Sequence, residues 1–221
     1  MSSSASRCRT PVLAVVVPTY NEVENVAGIV AAVAHSLDGV DWELIFVDDD
    51  SPDGTAERVR ALACDNPHVR AIQRIGRRGL SSACIEGMLA TSAPYIAVMD
   101  ADLQHDEALL PEMLRMLRDQ PLDIVVGSRY VGGGDIGGWD ERRASMSRIA
   151  TRIGRRLIKA DLRDPMSGFF MLRAEVLHGC VRRLSGVGFK ILLDIFASHP
   201  RPLRFREVSY RFRERRAGQS K

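Results

Sequence analysis

Continuous apolar runs alternate with segments of helical periodicity from residue 13 to residue 126, and this alternation restricts the fold more than any other feature of the sequence. Continuous runs are typical of strands buried on both faces, because a half-exposed strand alternates apolar and polar residues. The sequence therefore predicts an α/β fold with a mostly parallel central sheet flanked by helices. The predicted strands are residues 13–17, 44–47, 69–72, 96–99 and 124–126, and the predicted helices are residues 23–37, 54–63, 80–90 and 109–117.

The size and composition of the chain indicate one soluble domain. Its 221 residues suffice for one sizeable core, and 45% hydrophobic with 27% charged residues is ordinary for a globular protein. The apolar run at residues 12–17 is too short for a bilayer span or a secretory signal. We therefore expect a cytoplasmic chain. Reduced thiols are expected too, because no C-x-x-C pair occurs among Cys8, Cys64, Cys84 and Cys180.

The charge is distributed unevenly along the sequence. Residues 1–110 contain 8 Lys+Arg against 16 Asp+Glu, whereas residues 111–221 contain 23 against 12. An acidic half can hold a cation, and a basic half suits phosphates, nucleic acid or an anionic membrane. Only 3 of the 31 basic residues are lysine, and the planar fork of arginine favours bidentate phosphate contacts.

The second half of the chain combines glycine-dense and arginine-rich segments. Residues 132–138 include five glycines and predict a flexible connection. A helix predicted over residues 145–157 has apolar residues on one side and arginines on the other. Such a helix either packs on the core with its arginines in water or lies on an anionic membrane. A buried helix at residues 189–196 and a strand at residues 203–210 are predicted beyond it.

Polar residues follow three of the predicted strands at the point where each strand ends. Residues 18–22 follow the first, residues 48–51 the second, and residues 100–102 the run that ends at Met99. Ligands of open parallel sheets bind at the carboxyl ends of the strands. The sequence therefore predicts a site at this edge of the sheet.

Asp100, Asp102 and Gln104 are candidate metal ligands. In an extended segment these alternate positions point to one side, and their oxygen atoms suit Mg²⁺ or Mn²⁺. Two close carboxylates also repel each other unless a cation or a proton lies between them. The competing interpretation is a pair of carboxylates that cap the following helix.

Three consecutive carboxylates, Asp48 to Asp50, end the second strand. One of them, facing the site, can accept hydrogen bonds from ribose hydroxyls or a base edge. The residues after them, Ser51 to Asp53, are explained by a turn and a helix N-cap. Pro18, Tyr20 and Glu22 either mark a strand-to-helix turn or form the wall on which a base stacks.

Together these motifs resemble the family-2 glycosyltransferases and, within them, the dolichol-phosphate (polyprenol-phosphate) mannose synthases. The resemblance extends from residue 12 to the last residue, and several ordered motifs at the right separations are more specific than any single one. Ser81-Ser82 and Phe170 depart from the family pattern and concern the acceptor more than the reaction. The matching stretches are residues 17–22, 47–55, 99–105, 127–130, 138–140, Arg143, Ser147, residues 164–169 and residues 218–221.

For the donor side, the resemblance implies a glycosyltransferase A-type (Rossmann-like) nucleotide-binding fold. After a flexible tail of residues 1–10, one catalytic domain spans residues 11–221, with a nucleotide-binding half (about 11–127) and an acceptor-binding half (about 128–221). The implied cofactor is Mg²⁺ or Mn²⁺, held by Asp100, Asp102 and Gln104. The implied GDP-mannose ligands are Pro18, Tyr20, Glu22, Asp48, Asp50, Asp100, Ala101, Arg215 and Lys221.

For the acceptor side, the resemblance implies a polyprenyl monophosphate, whose oxygen is already an anion at neutral pH. No protein general base is then required, and in-line attack gives inversion. Asp102 with Arg129, Arg143 and Ser147 would form the catalytic set, the last three holding the acceptor phosphate. A lipid acceptor implies peripheral contact with an anionic membrane at its cytoplasmic face, with a membrane-anchoring domain or subunit as a further partner.

Three other functions remain open at this point. UDP-glucose or a related donor would change only the sugar and base, and a non-catalytic nucleotide-sugar binding module would keep the pocket without the reaction. Nucleic-acid binding is disfavoured, because only 6% of the residues are aromatic and the first half is acidic. No nucleic-acid partner is therefore expected.

Overall fold

The structure is a computed structural model that describes residues 10–131 and 161–210. Within these residues seven strands form one sheet of order β3-β2-β1-β4-β6-β5-β7. All strands run parallel except β6, which is antiparallel to both β4 and β5. The strands are β1 Leu13–Thr19, β2 Trp42–Asp48, β3 Val69–Gln73, β4 Tyr95–Val98, β5 Ile124–Ser128, β6 Phe170–Arg173 and β7 Phe205–Ser209.

Helices connect the strands and cover both faces of the sheet. No helix of the described segments is long and apolar enough to cross a bilayer. Short 3₁₀ turns at Glu107–Leu109 and Val181–Arg183 border two of the helices. The helices are α1 Val23–Ser36, α2 Thr55–Asp65, α3 Leu80–Leu89, α4 Leu110–Asp119, α5 Ala174–Cys180 and α6 Ile191–Ser198.

The core lies in two layers, one on each face of the sheet. Val15 and Val17 of β1 pack with Ile29 of α1 in one layer. Val16, between them in sequence, packs with Met88 of α3 and residues of α5 and α6 in the other. Because both faces of the central strands are covered, their sequences are continuous apolar runs, and the predicted mostly parallel sheet is confirmed.

Two predictions for the second half need correction. Strand β6 was not predicted, although residues 169–172 form a continuous apolar run of the same length as the run that predicts β4. The helix predicted from residue 189 begins at Ile191, and Phe189 is 65% exposed rather than buried. The predicted division into a nucleotide-binding and an acceptor-binding half stays a prediction.

An ionic cluster around a buried carboxylate joins the residue before β5 to the segment that precedes β7. Asp123 is fully buried, and its carboxylate accepts two hydrogen bonds from the Arg201 guanidinium at 2.8 and 2.9 Å. It also accepts one from the Arg204 backbone N–H at 2.7 Å. Burial raises the pKa of Asp123, but the hydrogen bonds from Arg201 and Arg204 outweigh it and bring the pKa below its ordinary value.

Candidate active site

A cleft opens at the carboxyl edge of the sheet, where the sequence predicts it. Its volume is about 470 Å³, within the range of small-molecule sites. The ends of β1, β2 and β4 contribute to it, together with the segments before β6 and before α6. Its lining includes Pro18, Thr19, Tyr20, Glu22, Asp49, Cys84, Asp100, Ala101, Asp102, Pro165 to Gly168 and Phe189 to Leu192.

The predicted wall after β1 lines the cleft through Pro18, Tyr20 and Glu22. The guanidinium carbon of Arg78 lies 4.3 Å from the centroid of the Tyr20 ring, a cation–π distance. One face of the tyrosine is therefore covered by a residue that sequence reasoning missed. Its only sequence signal is its place just before Gly79 and α3.

Hydrogen bonds tie the turn after β1 to the turn after β2. Asn21 N–H donates to Ser51 Oγ at 2.9 Å, and Val23 N–H donates to Asp53 at 3.2 Å. The same Asp53 carboxylate accepts from the N–H of Thr55, the first residue of α2. The predicted turn is present, but the predicted N-cap is wrong, because the N-cap of α2 is Gly54 and no side chain caps the helix. The Asp53 carboxylate instead joins the first residue of α2 to the turn after β1.

The three consecutive carboxylates have three different environments. Asp48 is 1% exposed and accepts hydrogen bonds from Thr19 Oγ1 and from Ser51. Asp50 accepts from Gln73 Nε2 at 3.1 Å and from a backbone N–H. Neither lies in the lining of the cleft, whereas Asp49 does. Nucleotide contacts by Asp48 and Asp50 stay predictions, and the geometry favours Asp49, which the predicted set omitted.

A buried arginine holds Asp49 in place. Arg74 lies 2.7 Å from Asp49 Oδ1 and donates to Ser82 Oγ, with its guanidinium 3% exposed. The other oxygen of Asp49 accepts from Gly79 N–H at 2.7 Å. Asp49 is thereby fixed by two partners on the loop before α3. Ser82, one of the departures from the family pattern, contributes to this network.

The predicted extended geometry of Asp100, Asp102 and Gln104 is wrong. Leu103 has φ of 57°, so the backbone turns, and Gln104 N–H donates to Asp102 Oδ1 at 3.1 Å. Asp100 and Asp102 both line the cleft, as predicted, but Gln104 is not in that lining. Metal binding by the Gln104 side chain therefore stays a prediction that its position does not support.

The two carboxylates fit a hard cation. Asp100 is half-buried, and a Cβ at Gly168 would lie 2.1 Å from Asp100 Oδ2, so the missing side chain leaves room for the carboxylate. Within residues 10–131 and 161–210 no group of three His, Cys, Asp or Glu side chains is poised around a metal. Two carboxylates with phosphate oxygens from a substrate are an ordinary Mg²⁺ arrangement.

Three buried rings, those of His105, Phe169 and Tyr210, pack together next to Asp100. His105 Nε2 lies 3.4 Å from Asp100 Oδ2, and its Nδ1 lies 2.8 Å from the Tyr210 hydroxyl. The imidazole packs against the Phe169 ring at 5.4 Å. Burial raises the pKa of Tyr210 far above its ordinary value, so its hydroxyl stays protonated. His105 belongs to the matching stretch at residues 99–105, but the sequence did not indicate its contact with Asp100.

Arg129 is held by a carboxylate of the second half. Its Nε and Nη2 donate to Asp164 at 2.8 and 2.9 Å, and the Asp164 carboxylate is fully buried. Burial lowers the pKa of Arg129, but the Asp164 hydrogen bonds raise it by more, so the guanidinium is charged. Its predicted contact with an acceptor phosphate stays a prediction, since it is not in the lining of the cleft.

Four predicted site residues lie outside the described residues: Arg143, Ser147, Arg215 and Lys221. The helix predicted over residues 145–157 lies outside them as well.

Cys84 is the thiol in the cleft lining, and burial raises its pKa, which leaves it protonated and a poor nucleophile. The functional groups that the described residues offer in the cleft are therefore carboxylates, beside the wall formed after β1.

Comparison with known proteins identifies the family. Residues 14–180 match the family described as Glycosyl transferase family 2. The chain belongs to glycosyl transferase family 2. The resemblance found in the sequence motifs is thus confirmed, and the chain is a glycosyltransferase.

Three curated relatives of this family 2 chain carry the name dolichol-phosphate mannosyltransferase. The protein from Saccharomyces cerevisiae is 38% identical, over 94% of this chain and 79% of its own length. The protein from Mycosarcoma maydis is 36% identical, over 100% of this chain and 76% of its own. The protein from Pyrococcus furiosus is 39% identical over 95% of this chain, which spans only 58% of that relative.

Solved structures of a glucosyl-3-phosphoglycerate synthase share the fold. Glucosyl-3-phosphoglycerate synthase from Mycobacterium tuberculosis, in complex with Mn²⁺, UDP and phosphoglyceric acid, superposes with a TM-score of 0.70 at 19% identity. The match covers 95% of this chain and 72% of that one. The same enzyme with Mg²⁺ and UDP gives a TM-score of 0.69 at 20% identity. The predicted glycosyltransferase A-type fold is confirmed.

Proposed function

We propose that this chain transfers mannose from GDP-mannose to a polyprenyl monophosphate with inversion at the anomeric carbon. The observation that carries the proposal is the 38% identity to a dolichol-phosphate mannosyltransferase along 79% of that relative, with the family's Asp100-Ala101-Asp102 motif lining the cleft. An acceptor phosphate is an anion at neutral pH, so no general base is needed. The reaction then depends on orientation and on charge stabilisation.

The carboxylates of the cleft would repel the diphosphate of the donor unless a cation lies between them. A divalent cation, Mg²⁺ or Mn²⁺, supplies that charge when bound and stabilises the departing nucleoside diphosphate. Asp100 and Asp102 are the residues that would hold it. Pro18, Tyr20 and Glu22, together with Asp49, would contact the nucleoside, because they form the adjoining wall.

The acceptor and the cellular location are proposals too. Arg129, Arg143 and Ser147 would bind the acceptor phosphate, and Arg215 and Lys221 the donor phosphates. The enzyme would act at the cytoplasmic face of an anionic membrane as a peripheral protein, anchored by a further domain or subunit.

Transfer of radiolabelled mannose to a short polyprenyl phosphate tests the proposal. We expect label to enter the organic phase from GDP-mannose in the presence of Mn²⁺ or Mg²⁺, and chelation by EDTA to stop the transfer. UDP-glucose serves as the competing donor, and thermal-shift measurements compare the binding of the two. Label that reaches the lipid only from UDP-glucose would reassign the donor, and label that never reaches the lipid would refute the enzyme assignment.

Gly168→Ala is expected to reduce mannose transfer about a hundredfold, because the new methyl group forces the Asp100 carboxylate out of position. Gly168 has no positive φ, so alanine fits its backbone and the protein should still fold. The measurement is kcat/KM for mannose transfer beside the unfolding temperature. Gly179→Ala is the matched control, since its Cβ would lie 2.9 Å from His199, away from the cleft. Full activity in Gly168→Ala would contradict the prediction.

A further inference from the structure

Two apolar side chains project into solvent at the mouth of the cleft. They belong to residues 184–190, which we call the rim loop. Val187 is 78% exposed and Phe189 is 65% exposed. Phe189 and Lys190 also line the cleft, so the rim loop forms part of its edge. Isolated exposed apolar residues are common, but two on one short loop beside a substrate cleft indicate a contact surface.

Hydrogen bonds at both ends hold the rim loop against the protein. Asp194 Oδ2, on α6, accepts from the N–H and the hydroxyl of Ser185, each at 2.8 Å. Gly188 O accepts from Ser81 N–H of α3 at 3.1 Å. Gly186 and Gly188 have φ of 64° and 81°, a conformation that favours glycine. The loop is therefore built to keep its two apolar side chains outside the core.

Basic residues border the apolar pair on both sides in the sequence. Arg182 and Arg183 are exposed immediately before the rim loop, and the Lys190 amine lies 5.5 Å from the centroid of the Phe189 ring. Residues 181–190 contain no Asp or Glu, and the nearby Asp194 carboxylate already binds Ser185. Apolar tips flanked by Arg and Lys are complementary to the interface of an anionic bilayer.

We propose that the rim loop inserts Val187 and Phe189 into the interface of an anionic membrane and so holds the mouth of the cleft against the bilayer. The purpose of this contact rests on the proposed function, since a lipid-borne acceptor phosphate is presented at that interface. The binding itself requires no transfer. This surface differs from the helix predicted over residues 145–157, which lies outside the described residues.

Tryptophan fluorescence at the loop tests the proposal. Phe189→Trp is mixed with phosphatidylcholine vesicles that contain about 30 mol% phosphatidylglycerol and brominated acyl chains. We expect a shift of the added emission to shorter wavelength, and quenching greater than that of the parent protein with its native tryptophans. Ile75→Trp is the matched control, because Ile75 is 76% exposed and does not line the cleft. Its emission should stay unquenched.

A second variant measures how much the loop contributes to binding. Val187→Glu is expected to lower co-sedimentation with the same vesicles about tenfold, because it removes one apolar side chain from the membrane contact and adds a negative charge that anionic lipids repel. Ile75→Glu should bind as the parent does. Vesicle binding that Val187→Glu leaves unchanged, with no quenching at residue 189, would place the membrane contact elsewhere and overturn the proposal.

Two further measurements distinguish this proposal from binding of the acceptor chain and from the proposed reaction. Quenching that appears only when polyprenyl phosphate is added to pure phosphatidylcholine vesicles would make the acceptor chain the occupant of the loop, and would also overturn the proposal. Mannose transfer by the parent protein is measured separately with a detergent-dispersed short acceptor. Failure of the rim loop to bind vesicles and failure of the proposed reaction are therefore distinguished.

Discussion

Asp102→Asn is expected to lower mannose transfer about a hundred- to a thousandfold while the protein stays folded. Asp102 lines the cleft and is 9% exposed, so its charge acts where little water screens it. The amide keeps an oxygen that can accept the hydrogen bond from Gln104 N–H, which preserves the turn. The loss therefore falls on cation and diphosphate binding rather than on the fold.

The measurement is kcat/KM for GDP-mannose at several Mn²⁺ concentrations, with circular dichroism as the check on folding. Asp65→Asn, at the exposed end of α2, removes one carboxylate outside the cleft and should transfer mannose as the parent does. A folded Asp102→Asn protein with parental activity would show that the second carboxylate of the motif has no part in the reaction.

Asp123→Asn is expected to lower the free energy of unfolding by about 3 kcal/mol at pH 7. The substitution leaves Arg201 and Arg204 without the buried charge that both of them contact. Because these guanidinium groups are half-exposed, water compensates in part, and the loss should not exceed the range for broken buried pairs. Asp119→Asn, on an exposed pair at the end of α4, should change the stability by less than about 0.5 kcal/mol.

The same cluster predicts how stability depends on acid. Since the hydrogen bonds from Arg201 and Arg204 bring the pKa of Asp123 below its ordinary value of 3.8, the ionised carboxylate stabilises the fold above pH 3.8. That stabilisation is lost progressively as the pH falls further toward the folded-state pKa. Urea unfolding of parent and Asp123→Asn should therefore give a difference that is constant near neutrality and shrinks below about pH 4. A difference that grows on acidification would contradict the assignment.

The strands of the sheet could be predicted because most of them have a local apolar pattern. Residues 13–17 and 44–47 are continuously apolar, and the structure buries both faces of the strands they form. Strand β6 also contains an apolar run, at residues 169–172, but its antiparallel pairing with β4 and β5 joins segments far apart in sequence, and the run does not reveal that pairing. Non-local pairing of so short a strand has no local signature.

The kind of site could be predicted from the sequence, but the residues that line it could be predicted only in part. Carboxylates at strand ends indicate where a cleft forms, but three in a row do not reveal which one faces it. That choice depends on Arg74, a residue 25 positions from Asp49, which binds it from the loop before α3. The turn at Leu103 was likewise invisible, because a positive φ in a leucine runs against its local preference. Tertiary contacts decide both cases.

Strand β6 gives the cleft a boundary of a different kind. Strands β1, β2 and β4 contribute residues at or just beyond their carboxyl ends, whereas β6, running in the opposite direction, contributes Pro165 to Gly168, which precede it. Changes of length in this approach segment leave the ends of the parallel strands where they are. Such changes can reach only as far as Gly168, because its missing side chain makes room for the Asp100 carboxylate. The last residue of the approach therefore stays coupled to the carboxylates of the cleft, while the residues before it are the part of the wall that can vary.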